Sequence, residues 1–273
     1  MQRRVVFAAL TLILAFLLPL GAGAQQPPRP APRHVVTLAN QTMAGPFDMI
    51  LQVVDFAPGN WTSVHAHGGP TFILVIDGTV TYRAGGRDQA FGVGQSWLEP
   101  ADELGAVGNL GTAPASIAAG YLIPAGAAVT TPAADQPQPQ APRPTLRAQV
   151  RLDGVTQAGA FDEVLAVADY PPGAAGLLHS HPAPILVLVV EGELTLREQG
   201  RVPRVVKSGE SWIERAGDVH DVVNAGSAKA TLVAQQIVPQ GAAPSTPVTA
   251  PAPTTPGLPA TGEGGAAPRP PAS

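Results

Sequence analysis

Apolar residues fall along this chain in short runs that carry no sustained helical period. Met49 to Phe56 and Glu163 to Tyr170 are rich in Val and Leu, while Phe72 to Ile76 and Ile185 to Val190 are unbroken apolar runs of strand length. The unbroken runs predict central strands covered on both faces. Asp77-Gly78 and Glu191-Gly192 follow them and predict tight hairpin turns, because Gly tolerates the positive φ that such turns demand. Strands recurring roughly every eight to twelve residues with Gly and Pro between them predict an all-β fold, an antiparallel sandwich or barrel.

The chain contains itself twice. Ala44-Gly45, Phe47-Asp48 and Pro58-Gly59 recur as Ala158-Gly159, Phe161-Asp162 and Pro172-Gly173 at an offset of 114 residues. Gly94, Ser96-Trp97, Glu99 and Asn109 recur as Gly209, Ser211-Trp212, Glu214 and Asn224 at 115, which places one inserted residue in the turn around Arg201 to Lys207. The organisation expected is a leader at 1–24, a Pro-rich linker at 25–34, a first unit at 35–124, a second Pro-rich linker at 125–146, a second unit at 147–240, and a Pro/Ala/Thr/Gly-rich tail at 241–273.

Charge and processing signals narrow the function classes. Arg3 and Arg4, the apolar run Val5 to Leu18 and the small residues Ala22-Gly23-Ala24 have the layout of a secretory signal peptide cut before Gln25. The exported chain then carries 14 basic and 20 acidic side chains, a net −6, with no electrostatic drive toward nucleic acid and no stable membrane insertion after cleavage. The periplasm or the exterior is the expected location. Leu258-Pro259-Ala260-Thr261-Gly262 resembles a sortase pentapeptide but lacks the apolar span and basic end of a sorting signal. Absence of Cys excludes disulfides and thiolate ligands, so a metal would be held by His, Asp or Glu.

Five of the six His lie in the repeated motifs: His65 and His67 in the first unit, and His179, His181 and His220 in the second. His-x-His on a strand sends both imidazoles to one face, the geometry for two ligands on one metal, and His220 is available as the third. Neutral imidazoles suit Fe, Mn, Zn, Ni or Cu.

The spacing then resembles a known family. Gly173, His179-Ser180-His181, Ile185 and Gly192 look like the first cupin motif; Gly209, Arg215-Ala216-Gly217, His220 and Asn224 look like the second. The first unit matches in spacing from Gly59 through His65, His67 and Gly78, then Gly94, Pro100 and Asn109. The resemblance implies a bicupin: two tandem jelly-roll barrels, each with its site facing the interior. It further implies one divalent metal on His179, His181 and His220. The carboxylate slot of the motif holds Thr71 and Ile185, and Gly105 stands where the first unit's third His would be, so the first site is expected to be degenerate. Glu99 or Glu103 would serve there only if the backbone turned it inward. Trp97 and Trp212 are expected in the barrel core, sharing a strand face with Glu99 and Glu214; Glu214 is the nearest candidate general base or fallback ligand, with an exposed strand end as the commoner place for such a carboxylate, and Asn224 is expected in a turn or beside the site. The function implied is dioxygenase-type oxidation of a small organic substrate, similar to quercetinase-like cupins; the alternative is a non-catalytic small-molecule-binding or sensing module. A monomer is expected, since the duplication can supply the usual cupin pairing, with a homodimer as the other arrangement.

Overall fold

The computed structural model describes residues 27–249, and both the leader and the pentapeptide at 258–262 lie outside them. Twenty strands and no helix occur among the described residues. The first ten are β1 Ala31–Gln41, β2 Phe47–Phe56, β3 His65–Ala66, β4 Thr71–Asp77, β5 Thr79–Ala84, β6 Arg87–Gly92, β7 Ser96–Glu99, β8 Gly105–Gly108, β9 Ala115–Pro124 and β10 Thr131–Pro132. The second ten are β11 Thr145–Val155, β12 Phe161–Tyr170, β13 His179–Ser180, β14 Ile185–Glu191, β15 Glu193–Glu198, β16 Arg204–Lys207, β17 Ser211–Glu214, β18 His220–Val223, β19 Ala230–Pro239 and β20 Thr246–Pro247. They form four antiparallel five-stranded sheets, two to a barrel, the all-β bicupin architecture that the repeat predicts.

Asp77-Gly78 does not close a hairpin. β4 pairs with β9 and β7, whereas β5 pairs with β6 and β8 in the opposite sheet, so Gly78 is a corner that carries the chain between sheets. Its φ of 67° and its close approach to the backbone at Pro114 and Ala115 require glycine, and Gly192 does the same beside Lys229 and Ala230. The sequence signal reports the positive φ, and a barrel corner needs that as much as a hairpin does.

The barrels exchange their opening strands. β1 pairs along β12 in the sheet β1-β12-β19-β14-β17, and β11 pairs along β2 in the sheet β11-β2-β9-β4-β7, so each unit's first strand completes the other barrel. These two sheets pack face to face. Phe47, Leu51 and Leu74 from one and Phe161, Leu165 and Leu188 from the other are buried in a shared core, and the equivalent rings of Phe47 and Phe161 stack at 5.8 Å and 9°. The alternate residues of the same strands, such as Ile73 and Val75 or Val187 and Val189, fill the two barrel interiors. Burial of both faces explains the unbroken apolar runs, with each large side chain contributing roughly 1.5–3 kcal/mol.

The Pro-rich flanks are ordered parts of the fold. Pro28-Arg29-Pro30-Ala31-Pro32-Arg33 and Pro142-Arg143-Pro144-Thr145-Leu146-Arg147 share the pattern Pro-Arg-Pro-x-x-Arg at the 114-residue offset. Pro124 to Pro132 and Pro239 to Pro247 share Pro-x-Gly-Ala-Ala-x-x-Thr-Pro at 115. Each arm is seated equivalently: the Pro142 carbonyl accepts from Trp61 N at 3.0 Å and the Pro28 carbonyl from Ala175 N at 3.0 Å. Arg147 and Arg33 pin the exchanged strands to Asp55 and Asp169.

Candidate metal centres

In the second barrel β13 lies beside β18, with His179 directly opposite His220, and the chain leaves β13 through His181. The structure brings all three together, each offering a ligand nitrogen within 4.8 Å of the others. Every imidazole is oriented by a backbone carbonyl on Nδ1: Leu177 O at 2.7 Å from His179, Pro244 O at 2.8 Å from His181, and Asp218 O at 3.1 Å from His220. A carbonyl only accepts, so each Nδ1 carries the proton and each Nε2 presents a lone pair to the cluster. Pro244 belongs to the segment that β20 latches across β13, so the ordered start of the tail is part of the site.

The carboxylate expected to be missing is present. Glu214 is buried, with Oε1 3.1 Å from His220 Nε2 and Oε2 3.3 Å from His181 Nε2, while Trp212 Nε1 donates to Oε1 at 2.8 Å. It stands directly across the ladder from Ile185, and cross-strand partners project to the same face. The motif's empty slot on β14 is thus filled from β17, and Glu214 is not an exposed strand-end carboxylate. Burial alone would raise this carboxyl, but a proton on the Nε2 of His181 or His220, together with the Trp212 indole, outweighs it and holds the carboxyl at about 2. The reciprocal pull of Glu214 raises His220 against the opposing effect of burial, whereas burial lowers His179.

Apart from the Trp212 indole N–H on Glu214, the cluster is a carboxylate facing imidazole lone pairs, acceptor against acceptor. Although Glu214 approaches His220 Nε2 at 3.1 Å, the contact lacks hydrogen-bond geometry, and that buried nitrogen has no partner among the described residues. A cation at the centre, a proton or a metal, would resolve the conflict. Three neutral nitrogens and one carboxylate oxygen are a donor set suited to a first-row divalent ion, so the residues fit a metal.

The first barrel repeats this construction with one part exchanged. His65 and His67 are oriented through Nδ1 by Ser63 O at 2.7 Å and Val129 O at 2.8 Å. Glu99, across the ladder from Thr71, lies 3.1 Å from His67 Nε2 and accepts from Trp97 Nε1 at 3.0 Å. His65, His67 and Glu99 form a second cluster whose ligand atoms lie within 4.8 Å of one another. The backbone therefore does turn Glu99 inward, and Glu103 instead accepts from the Tyr82 hydroxyl at 3.2 Å. Tyr82 fills the space of the absent third imidazole: a Cβ built on Gly105 would lie 2.5 Å from its ring and 2.8 Å from its hydroxyl oxygen. The residue at the corresponding place in the second barrel is Leu196.

The remaining candidates have structural roles. Trp97 and Trp212 are buried in the barrel cores while aiming their indole N–H at the carboxylates. Asn109 and Asn224 cap equivalent turns, each amide donating to two backbone carbonyls. A cavity of about 290 Å³ opens into the first barrel, walled by His65, His67, Glu99, Tyr121, Ile73 and Arg143 among others. The mouth of the second barrel has a shallower space of about 370 Å³ against His179, Leu177 and Arg29.

Solved structures with this arrangement are distant in sequence. Oxalate decarboxylase from Bacillus subtilis is 12% identical at a TM-score of 0.53, over 78% of this chain and 78% of that one. AerE from Microcystis aeruginosa is 16% identical at 0.50, over 77% and 98%. The Lactobacillus farciminis oxalate decarboxylase formate complex is 12% identical at 0.50, over 78% and 88%. These likenesses establish the fold. No curated protein matches the sequence significantly. A family model described as a cupin domain matches residues 52–123 and again residues 166–235, together just over half of the chain, and the chain belongs to that family, with two cupin domains in tandem.

Proposed function

We propose that this bicupin is an exported metalloprotein whose second barrel holds one divalent metal on His179, His181 and His220, with Glu214 as a fourth ligand, and oxidises a small organic substrate in a dioxygenase-type reaction. The observation that carries the reading is the set of three oriented Nε2 lone pairs within 4.8 Å of one another, two of them faced by the Glu214 carboxylate. A bound redox metal would supply the oxygen chemistry. The chain's own contribution is positional. Leu177, Pro244 and Asp218 carbonyls fix the ring orientations, Trp212 fixes the carboxylate, and Leu177 and Pro247 line the mouth. Glu214 offsets one of the metal's two charges and leaves a net positive site that favours an anionic or electron-rich ligand.

The structural neighbours are consistent with metal chemistry on small acids: Mn(II) centres are described in Bacillus subtilis oxalate decarboxylase, and a formate complex in the Lactobacillus farciminis enzyme. Manganese joins iron as a leading metal for this chain on that ground. A second reading, a binding module without chemistry, is favoured by one observation: the cavity that reaches both His and the Glu of its cluster belongs to the first barrel, which lacks the third His.

Elemental mass spectrometry of the full chain purified without chelator or nickel affinity tests the proposal. One or more equivalents of metal, reduced by one in His220→Ala, is the expected result, followed by oxygen uptake in a substrate screen. A folded protein that takes up no Mn(II), Fe(II) or Zn(II) would overturn it and leave the binding module. Export is tested separately by the N-terminus of the mature protein, expected at Gln25.

A further inference from the structure

The two exchanged arms each deliver one arginine to the mouth of a barrel. Arg143 precedes β11 and lies in the wall of the first barrel's cavity together with His65, His67 and Glu99. Arg29 precedes β1 and lies at the second barrel's mouth beside His179. Both are tethered in the same way, Arg143 Nη1 to Trp61 O at 3.1 Å and Arg29 Nη1 to Ala175 O at 3.2 Å, where Trp61 and Ala175 are repeat counterparts. Among the described residues neither guanidinium meets a carboxylate, so Nε and Nη2 remain available. Their neighbours in the same motif, Arg33 and Arg147, are both consumed in bidentate pairs with Asp169 and Asp55. One arginine of each arm therefore pins the strand, and the other faces the site.

We propose that Arg143 and Arg29 anchor the carboxylate of a small organic acid at the mouths of the two barrels, which makes an organic carboxylate the substrate class. The inference rests on the metal reading above, since an anion would otherwise meet Glu99 or Glu214 unscreened. A planar guanidinium with two free donors matches a carboxylate, and a tethered, exposed position at a rim suits capture. Ile73, Val107 and Ile117 form an apolar part of the first cavity's wall beside the polar Gln52, His67 and Glu99, so the acid would carry a short apolar body. Trp61 is braced over Gly108 and covered by Arg83 at 4.4 Å, which fixes the carbonyl that holds Arg143.

The test is calorimetric titration of the full-length, zinc-loaded protein, which is redox-silent, with acetate, malonate and phenylacetate, and with phenylacetamide as the neutral control. At least one acid should bind. Arg143→Gln and Arg29→Gln should each weaken one class of site by about 10- to 100-fold, the loss expected for a charge-assisted pair, with the Lys variants intermediate. Both arginines are exposed, and thermal melts verify that the variants stay folded. Binding that survives in the Arg29→Gln/Arg143→Gln double variant, equal binding of phenylacetamide, or no acid binding below about 10 mM would overturn the proposal. Metal counted on the same samples separates the two readings. Retained zinc with arginine-independent binding removes the anchor alone, whereas a folded protein that holds no zinc and binds no acid removes the metal reading and the anchor with it.

Discussion

The two barrels share a backbone, a latch, an arm and a Trp–Glu pair, yet differ at one ladder position: His220 opposite His179, and Gly105 opposite His65. Tyr82 has moved into the space that Gly105 leaves, stacking on Trp97 at 5.6 Å. The loss of the third imidazole has left the rest of the first site standing, because each remaining ligand has its own support. His67 is held by Val129 O, His65 by Ser63 O and Glu99 by Trp97, none of which depends on residue 105. The sites are modular, and the comparison teaches that ligand count can change without dismantling the donor geometry.

Removing the carboxylate should break the comparison most sharply. Glu99→Gln leaves the first barrel two His, whereas Glu214→Gln leaves the second three. Metal affinity in the first barrel is expected to fall by more than about 100-fold, past the upper end for partners outside the coordination sphere, and the second barrel should lose distinctly less. Competitive zinc titration of each variant reads both values. Equal losses would mean that Glu214 contributes as much to the three-His site as Glu99 does to the two-His site.

The converse experiment transplants the missing part. Gly105→His alone collides with Tyr82, so the single variant should fold poorly, and Tyr82→Leu/Gly105→His should relieve the collision by giving the first barrel the second barrel's residues at both positions, Leu196 and His220. A gain of roughly 10- to 100-fold in zinc affinity at the first barrel is expected. No gain would show that the strand positions differ beyond the side chains.

A second asymmetry lies between the barrels. Glu163 and Gln235 are fully buried in the shared core where the repeat counterparts are Met49 and Gly120, and Gln235 Nε2 donates to Glu163 Oε1 at 2.7 Å. Burial, only partly offset by that bond, pushes Glu163 up to about 8, from an ordinary 4.5. The folded state therefore binds a proton that the unfolded state releases. This stabilising contribution is full below about pH 4.5, declines by about 1.4 kcal/mol per pH unit as pH rises, and is lost by about pH 8. Glu163→Gln should remove that slope in urea unfolding measured from pH 5 to 8. An unchanged slope would place the titrating group elsewhere.

Much of this was legible from spacing. The 114- and 115-residue offsets and the His-x-His motifs report local backbone geometry, which a sequence carries directly. Glu99 and Glu214 were visible as candidates but their inward placement was not, because the motif is read along one strand, while Thr71 and Glu99 meet across two. The available signal was Trp-x-Glu in both copies, with period-two spacing that puts donor and carboxylate on one face. The arms were hidden by composition: Pro-Arg-Pro-x-x-Arg lies in stretches so rich in Pro that they read as linkers. Strand exchange was not legible at all, since β1 and β11 carry similar patterns and either barrel offers the same edge.

The smallest expected effect tests whether the Trp–Glu pair is positional. Trp97→Phe and Trp212→Phe keep most of the buried ring and delete only the indole N–H that reaches Glu99 at 3.0 Å and Glu214 at 2.8 Å. Glu214 is also held between two imidazoles, whereas Glu99 has only His67 beside it. Zinc affinity should therefore drop by about tenfold in the first barrel and by less in the second. A loss confined to Trp212→Phe would reverse that order and show that the carboxylate in the three-imidazole site depends more on its indole than on its neighbours. Equal melting temperatures for the two variants would assign the difference to the site, because a packing defect in either core would lower stability along with affinity.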